Sequence, residues 1–372
     1  MENSSSFLRP LVAGLLSLGM TLMVAADVAG TVSQPRPDPL DVAARPSPFT
    51  KGWATTGIAR QGEQLLAVGP RGLILASGDS AKTWTQVESP VSTDLVTVRF
   101  TAQKTAWAIG HDGVALRSTD SGQHWERILD GRKLLVLLRG SYEQRAKSGD
   151  AGAAAVLKEV DRSAEQSATP GVLSTPMLDV WFSPEAPAEG LLVGAFGLVL
   201  ATHDGGTTWE PLIERTDNDR RFHLYAVSGQ GDERYIAGEQ GLLMRWDAGQ
   251  QRFAKVETPY AGSYFGIHVS PGRLIAYGLR GNAYATEDGG AHWNKIETGV
   301  DDNLVALVPR AKGDFLLVSQ TGQVLTVPRG GLKAKALHVT PMSEIFAATD
   351  TNGQQLVLAQ INGLRTIELP TR

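Results

Sequence analysis

The sequence of 372 residues predicts an all-β protein, a seven-bladed β-propeller with a helical hairpin inserted between blades 2 and 3. Two short motifs that recur about every 40 residues carry this prediction, because a fixed period of that length is typical of propeller blades. The first motif is Ser/Thr-x-Asp-x-Gly-x-x-Trp. The second is Gly-x-x-Gly, placed between two short apolar runs.

The first motif occurs four times, with its Asp at positions 79, 120, 204 and 288, separated by 41, 84 and 84 residues. Its Asp can accept N–H groups of its own turn, its Gly allows positive φ, and its Trp begins the next strand. The motif resembles the Asp-box, or BNR repeat, of sialidase-type propellers, and we expect it to be structural. The structural residues are Asp79, Trp84, Asp120, Trp125, Asp204, Trp209, Asp288 and Trp293.

The second motif marks the hairpin that joins the two central strands of each blade. Its second glycine falls at positions 72, 113, 197, 241, 281, 322 and 363, at intervals of 41, 84, 44, 40, 41 and 41 residues. Short apolar runs on either side of such a turn indicate a β-hairpin. Seven markers therefore predict seven blades within residues 49–372.

Residues 132–168 explain the one long interval among these markers. The segment is rich in Leu, Ala, Lys, Glu, Arg and Gln, and its apolar residues recur at helical spacing on both sides of Ser148-Gly149-Asp150. We therefore predict two helices. Its leucines are too apolar to face water, so they must cover the scaffold, pack on the second helix or meet a partner.

The N-terminal residues precede the predicted propeller. Residues 1–26 read as a signal peptide or, alternatively, as an uncleaved anchor, which places the protein in the periplasm or on the membrane facing it. Residues 27–48 form a Pro-rich tether. The last repeat lacks an outer strand, so we expect Leu40 to Ser47 to pair with Leu364 to Leu369 and close the propeller.

Composition limits the possible ligands. The net charge of -4 and the pI near 6.0 provide no basic field for nucleic acid. The chain has no cysteine, so disulfides and thiol chemistry are excluded. Three of its seven histidines fall within the box turns, and no residue spacing indicates a metal site or a small-molecule cofactor. We expect a monomer.

Several residues carry a resemblance to the photosystem II stability/assembly factor family. They are the tandem boxes, the Gly-x-x-Gly hairpins, the stretch Met177 to Phe182 and the stretch His223 to Val227. Within that family the chain is most similar to bacterial members outside photosynthetic lineages, which carry a comparable insert. The resemblance implies a non-catalytic factor that holds a membrane-protein partner or envelope complex on the exported side, with an RND-type exporter as one such partner.

Topology points to the hairpin tips as the partner-binding surface. Tips and blade-to-blade connections share one face of a propeller. In this sequence the tip residues vary from blade to blade, while the segments that flank them repeat. The insert must cross the same face, and we predict that it forms a lid beside the arginine-bearing tips. The predicted partner-binding residues are Arg71, His111, Asp112, Phe196, Glu239, Gln240 and Arg280.

A glycan-binding or sialidase-like propeller that uses its central channel is the alternative. Trp181, Tyr225 and Tyr264 are the aromatic candidates for the channel, although each could instead fill space between blades. A sialidase would additionally place three arginines and a Tyr beside a Glu in the channel. The Phe-Arg-Ile-Pro segment usual in such enzymes is absent from the sequence.

Overall fold

A computed structural model describes residues 37–47, 52–310, 313–339, 342, 344–351 and 353–370. Within these residues the strands form seven antiparallel sheets, six of four strands and one of three. The sheets are the blades of a seven-bladed propeller, as the repeated motifs predict. Residues 1–36, which contain the predicted signal segment, lie outside the described part of the chain.

Each blade uses consecutive strands, ordered from the channel outward. Blades 1 to 4 contain β1 Gly57–Gln61, β2 Gln64–Val68, β3 Ile74–Ser77, β4 Thr85–Gln86; β5 Leu95–Ala102, β6 Thr105–Gly110, β7 Ala115–Ser118, β8 Glu126–Leu129; β9 Met177–Phe182, β10 Gly190–Gly194, β11 Val199–Thr202, β12 Glu210–Pro211; and β13 Leu224–Gln230, β14 Glu233–Gly238, β15 Leu243–Asp247, β16 Arg252–Lys255. Blades 5 to 7 contain β17 Tyr264–Ser270, β18 Arg273–Gly278, β19 Ala283–Thr286, β20 Asn294–Lys295; β21 Leu304–Pro309, β22 Phe315–Ser319, β23 Val324–Val327, β24 Lys335–Leu337; and β25 Ile345–Asp350, β26 Gln355–Gln360, β27 Gly363–Glu368.

The hydrophobic core lies between neighbouring blades. The central strands of each blade are buried on both faces, which is why they read as continuous apolar runs. Leu66 and Ile74 of blade 1, for example, share one cluster with Val98 and Leu116 of blade 2. Each blade thus covers the apolar face of the next, and the repeats stabilise one another.

The predicted helical hairpin is present between β8 and β9. Helix α1 spans Gly131–Lys147 and helix α2 spans Ala151–Glu165. Asp130 caps α1 by accepting from the N–H groups of Arg132 and Lys133 at 3.0 and 2.9 Å, and Asp150 caps α2 in the same way. The insert is therefore built from two independently capped helices.

The prediction that Leu40 to Ser47 pairs with Leu364 to Leu369 as a closing strand is wrong. This segment lies along blade 1, where the Ala44 N–H donates to the Ser89 carbonyl at 3.0 Å and the Ser47 N–H donates to the Gln86 side chain at 2.8 Å. Among the described residues, none pairs with the outer edge of β27.

The propeller closes through lateral packing of blades 1 and 7. Ile58 and Leu75 of blade 1 share a buried cluster with Val357 and Ala359 of blade 7. The Thr55 N–H also donates to the Gln360 carbonyl at 3.0 Å. Among the described residues, burial of these apolar surfaces takes the place of the strand pairing that the sequence suggested.

Candidate partner-binding face

The hairpin tips of blades 1 to 5 are tight turns whose third residue has a left-handed backbone. Arg71, Asp112, Phe196, Gln240 and Arg280 have φ between 51° and 57°, a region that favours glycine. In these five blades the first glycine of the motif is required for another reason, whereas Ser319 and Gln360 occupy its position in blades 6 and 7. A Cβ on the first glycine of blade 2, Gly110, would lie 2.1 Å from the Asp94 carbonyl oxygen.

The connection that enters the next blade holds three of these tips. The Arg71 N–H donates to Asp94 Oδ1 at 2.8 Å, and the Phe196 N–H donates to His223 Nδ1 at 3.1 Å. The Arg280 N–H donates to the side chain of Asn303 at 3.2 Å. These bonds fix the backbone and place tips and connections on one face, here called the tip face.

Sequence reasoning missed the three residues that hold the tips. Asp94, His223 and Asn303 each stand directly before the apolar residue that begins an inner strand. A polar residue repeated at this position could have been found by aligning the repeats. Their role depends on a tip in the preceding blade, so the local sequence alone does not reveal it.

Five of the seven predicted partner-binding side chains are exposed on the tip face, namely Arg71, His111, Phe196, Gln240 and Arg280. The other two make internal hydrogen bonds. Asp112 accepts from the Thr93 hydroxyl at 2.7 Å, and Glu239 accepts from the His223 N–H at 2.8 Å. The exposed five thus share one surface, and the next blade holds the backbones of three of them, Arg71, Phe196 and Arg280.

The insert creates a cleft of about 660 Å³ beside the tip of blade 3. Its apolar lining residues are Leu138, Val156, Val160, Ala168, Leu173, Ala195, Phe196, Leu198 and Ile213. Phe196 stands at the edge with 60% of its surface exposed, and an ion pair of 2.8 Å joins Arg221 to Glu159 of α2. Among the described residues, the lining includes neither Arg71 nor Arg280.

The box turns lie at the opposite ends of the strands from the tips. Asp120 Oδ1 accepts from the N–H groups of Gln123 and His124 at 3.0 and 2.9 Å and from the Ser118 hydroxyl at 2.8 Å. Burial alone would raise the pKa of Asp120, but hydrogen bonds from His124, Ser118 and Gln123 lower it to about 2. Each such Asp thus serves the donors of its own turn.

The other boxes repeat this arrangement. Hydrogen bonds from Thr83 lower the pKa of Asp79 to about 2, and those from Thr208 do the same for Asp204. Hydrogen bonds from His292 lower the pKa of Asp288. The Trp residues of the boxes differ in burial, since Trp209 is buried whereas the other three are half-buried.

The central channel encloses about 580 Å³ and contains one ion pair among its described lining residues. Arg99 donates to Asp179 through Nε at 3.0 Å and through a terminal nitrogen at 3.3 Å. Asp179, which is 2% exposed, also accepts from the N–H groups of Val180 and Val227. The acidic partner is therefore fully hydrogen-bonded.

The channel does not reproduce a sialidase site within its described lining. Only one arginine, Arg99, lines it, where such an enzyme needs three. The Tyr225 hydroxyl lies 3.4 Å from Glu239, but burial and this carboxylate raise the pKa of Tyr225 to about 12 and keep it protonated. Trp181 lines the channel as well, whereas Tyr264 is buried between blades.

No group of three or more potential metal ligands occurs among the described residues. Within those residues, no helix is both long and apolar enough to cross a membrane.

Comparisons with known proteins agree with the resemblance that the motifs suggested. The family model described as photosynthesis system II assembly factor YCF48 matches residues 164–340. Photosystem II assembly lipoprotein Ycf48 of Synechococcus sp. (strain CC9902) is 30% identical over 149 residues, or 39% of this chain and 44% of that relative. Photosystem II stability/assembly factor HCF136 of Oryza sativa subsp. japonica is 36% identical over 208 residues, or 45% of this chain and 48% of that relative.

The chain spans about half the length of these curated relatives. A solved structure of YCF48 bound to D1 peptide has a TM-score of 0.59, covers 89% of this chain and 97% of that one, and is 16% identical. That likeness shows the fold alone. The matches confirm the resemblance to photosystem II stability/assembly factors, and these relatives are named as assembly factors rather than enzymes.

Proposed function

We propose that this chain is an exported, non-catalytic assembly or stability factor that binds a membrane-protein partner through its tip face. The similarity to Ycf48 and HCF136 supports the assembly role. A neighbour in fold has been solved with a D1 peptide, which makes a peptide segment of the partner the simplest ligand class. The naming of Ycf48 relatives as lipoproteins supports an exported, membrane-associated location.

The exposed tip residues are the observation that carries the proposed binding face. Arg71, Phe196 and Arg280 belong to residue types that are enriched at interface hot spots, and the next blade holds their backbones in place. A preformed surface loses less conformational entropy on binding than a mobile loop. The cleft formed by the helical insert extends this surface at blade 3. We therefore include the insert as a lid that contributes to partner selection.

A charge-reversal experiment tests the tip face. The full chain with a C-terminal affinity tag is expressed in its own cells, the envelope proteins are cross-linked, and the captured membrane proteins are identified. Arg71→Glu combined with Arg280→Glu should abolish capture of the main partner, because two interface cations are inverted. A control, Lys82→Glu combined with Lys295→Glu, makes the same charge change at two exposed lysines outside the tips.

The identity of the captured protein decides between partner classes. A photosystem II subunit or another membrane protein under assembly would support the proposal, and the comparisons lend no support to an RND-type exporter. Both double variants should unfold at the temperature of the unmodified protein. Equal capture by the tip variant and by the control would refute the tip face as the binding surface.

A further inference from the structure

The tip-face mouth of the channel is surrounded by a ring of seven half-buried residues, one from each blade. Each follows the first residue of its inner strand, or the equivalent position in blade 1. The ring consists of Thr56, Val96, Leu178, Tyr225, Phe265, Val305 and Phe346, and all seven line the channel. Six members are apolar and three are aromatic. We call this set the mouth ring.

A β-bulge directs the ring side chains into the channel. In blade 4 the register with β14 passes from Leu224 directly to Ala226, which leaves Tyr225 without a partner in the ladder. The same shift skips Phe265 in blade 5 and Phe346 in blade 7. Bulges re-aim a side chain and are over-represented next to functional sites. The ring is thus a repeated geometric feature.

Core packing accounts for only part of the apolar character of the ring. The residue directly before each ring member is the one that packs between blades, as Leu95, Leu224 and Ile345 show with exposures of 1% or less. The ring side chains are half-buried: Val305, for example, packs in part on the core between blades 6 and 7, while the remaining surface of the ring faces the channel. Apolar surface retained around a cavity is typical of a ligand site.

The channel below the ring favours an uncharged group. Its one ion pair, between Arg99 and Asp179, satisfies its own charges through two hydrogen bonds. An incoming charge would lose its hydration and find no unpaired counter-charge among the described residues that line the channel. The enclosed 580 Å³ lies within the range of about 300–1,000 Å³ in which proteins bury drug-sized ligands, so more than one side chain can enter.

An aromatic series joins the ring to the predicted partner-binding surface. The rings of Phe196 and His223 lie 5.0 Å apart, those of His223 and Tyr225 6.4 Å apart, and those of Tyr225 and Phe265 5.6 Å apart. A ligand on the tip of blade 3 can therefore reach the channel mouth along a continuous series of ring contacts, which passes beside the Glu239 carboxylate. This continuity fits a chain-like ligand that reaches the channel from the tip.

We propose that the mouth ring binds an uncharged peptide segment of the partner, with two or three adjacent apolar side chains inserted into the channel. This inference rests on the proposed function and specifies its ligand. The ring would recognise aromatic and aliphatic side chains, while the tip residues contact the flanking polar part of the segment.

A peptide titration tests the mouth ring on the full-length protein. The probe is a fluorescent, end-capped peptide of Gly and Ser with Phe-Leu-Phe at its centre, and binding is followed by fluorescence anisotropy. Phe265→Ser combined with Phe346→Ser should weaken binding at least about tenfold, because apolar anchors dominate such contacts. The control, Leu332→Ser, removes an exposed apolar side chain from the loop between β23 and β24, away from the tips, and should bind like the unmodified protein.

Three further measurements make the result decisive. Equal melting temperatures of both variants show that the fold is intact, and a probe with three central Ser residues should not bind. The inference would be overturned if the Phe-Leu-Phe probe did not bind, or if the ring variant bound it as well as the unmodified protein. It would also be overturned if dodecanoate displaced the probe and the protein captured lipid. Loss of the envelope partner in the Arg71/Arg280 variant but not in the ring variant would leave the proposed function standing and reject the ring.

Discussion

Ala81 occupies a backbone position that the other boxes assign to glycine. Its φ is +69°, and the corresponding residues Gly122, Gly206 and Gly290 have φ between 83° and 101°. Alanine is strained in this region because its Cβ approaches the backbone. The turn still forms, since the Ala81 N–H donates to the Ser77 hydroxyl at 3.0 Å. Local hydrogen bonding thus outweighs the strain.

We predict that Ala81→Gly stabilises the protein by about 0.5–1 kcal/mol, since relief of left-handed strain exceeds the lost methyl contact. The measurement is the midpoint of urea unfolding. Ala76→Gly in β3 is the control and should destabilise by about as much, because its strand backbone is already relaxed. A lower midpoint for both variants would show that Ala81 is not strained.

At the scale of elements, helix α1 is part of the core and not an appended loop. Leu134, Leu135, Leu138 and Tyr142 are buried in one cluster with Trp107 of blade 2. The Tyr142 hydroxyl also accepts from the Ile213 N–H at 3.1 Å, at the outer end of blade 3. Two of the outcomes expected for these leucines, covering the scaffold and packing on α2, occur together.

We predict that Leu138→Ala lowers the free energy of unfolding by about 2–4 kcal/mol, through lost apolar contact and an incompletely filled cavity. Val136→Ala is the matched control on the same helix. Because Val136 is 72% exposed, its truncation should change stability by less than about 0.5 kcal/mol. Equal effects in chemical denaturation would contradict the docking of α1 on the blades.

At the scale of the whole molecule, the Asp residues of the boxes together make the stability of the fold depend on pH. The folded pKa values of Asp79, Asp120 and Asp204 are about 2, below the value of 3.8 for an unperturbed Asp. A lowered folded pKa contributes stability that is present above the unfolded pKa and is lost as the carboxylate protonates. The window of loss therefore runs from about pH 4 down to about pH 2.

We predict that the melting temperature falls as pH decreases through this window. A variant with Asp79→Asn, Asp120→Asn and Asp204→Asn should start at a lower melting temperature and show a shallower slope between pH 4 and pH 2. The comparison is made by thermal scans of both proteins at constant ionic strength. Parallel slopes would mean that other carboxylates control the acid sensitivity.

The sequence by itself determined the blade number, the box and tip turns, and the two insert helices. Each depends on residues close together in the chain, such as Asp120 and His124 in one turn or Asp130 at the start of α1. Turn chemistry and hydrophobic periodicity are local properties, and seven repeats of one pattern reinforce the same conclusion.

Only the tertiary structure decided how the ring of blades closes and what faces the channel. The contact of Thr55 with Gln360 and the pairing of Arg99 with Asp179 join residues far apart in sequence. The mouth ring arises from bulges whose side-chain direction no residue pattern specifies. Such features depend on the packing of one blade against another, so they exist only once the chain has closed on itself.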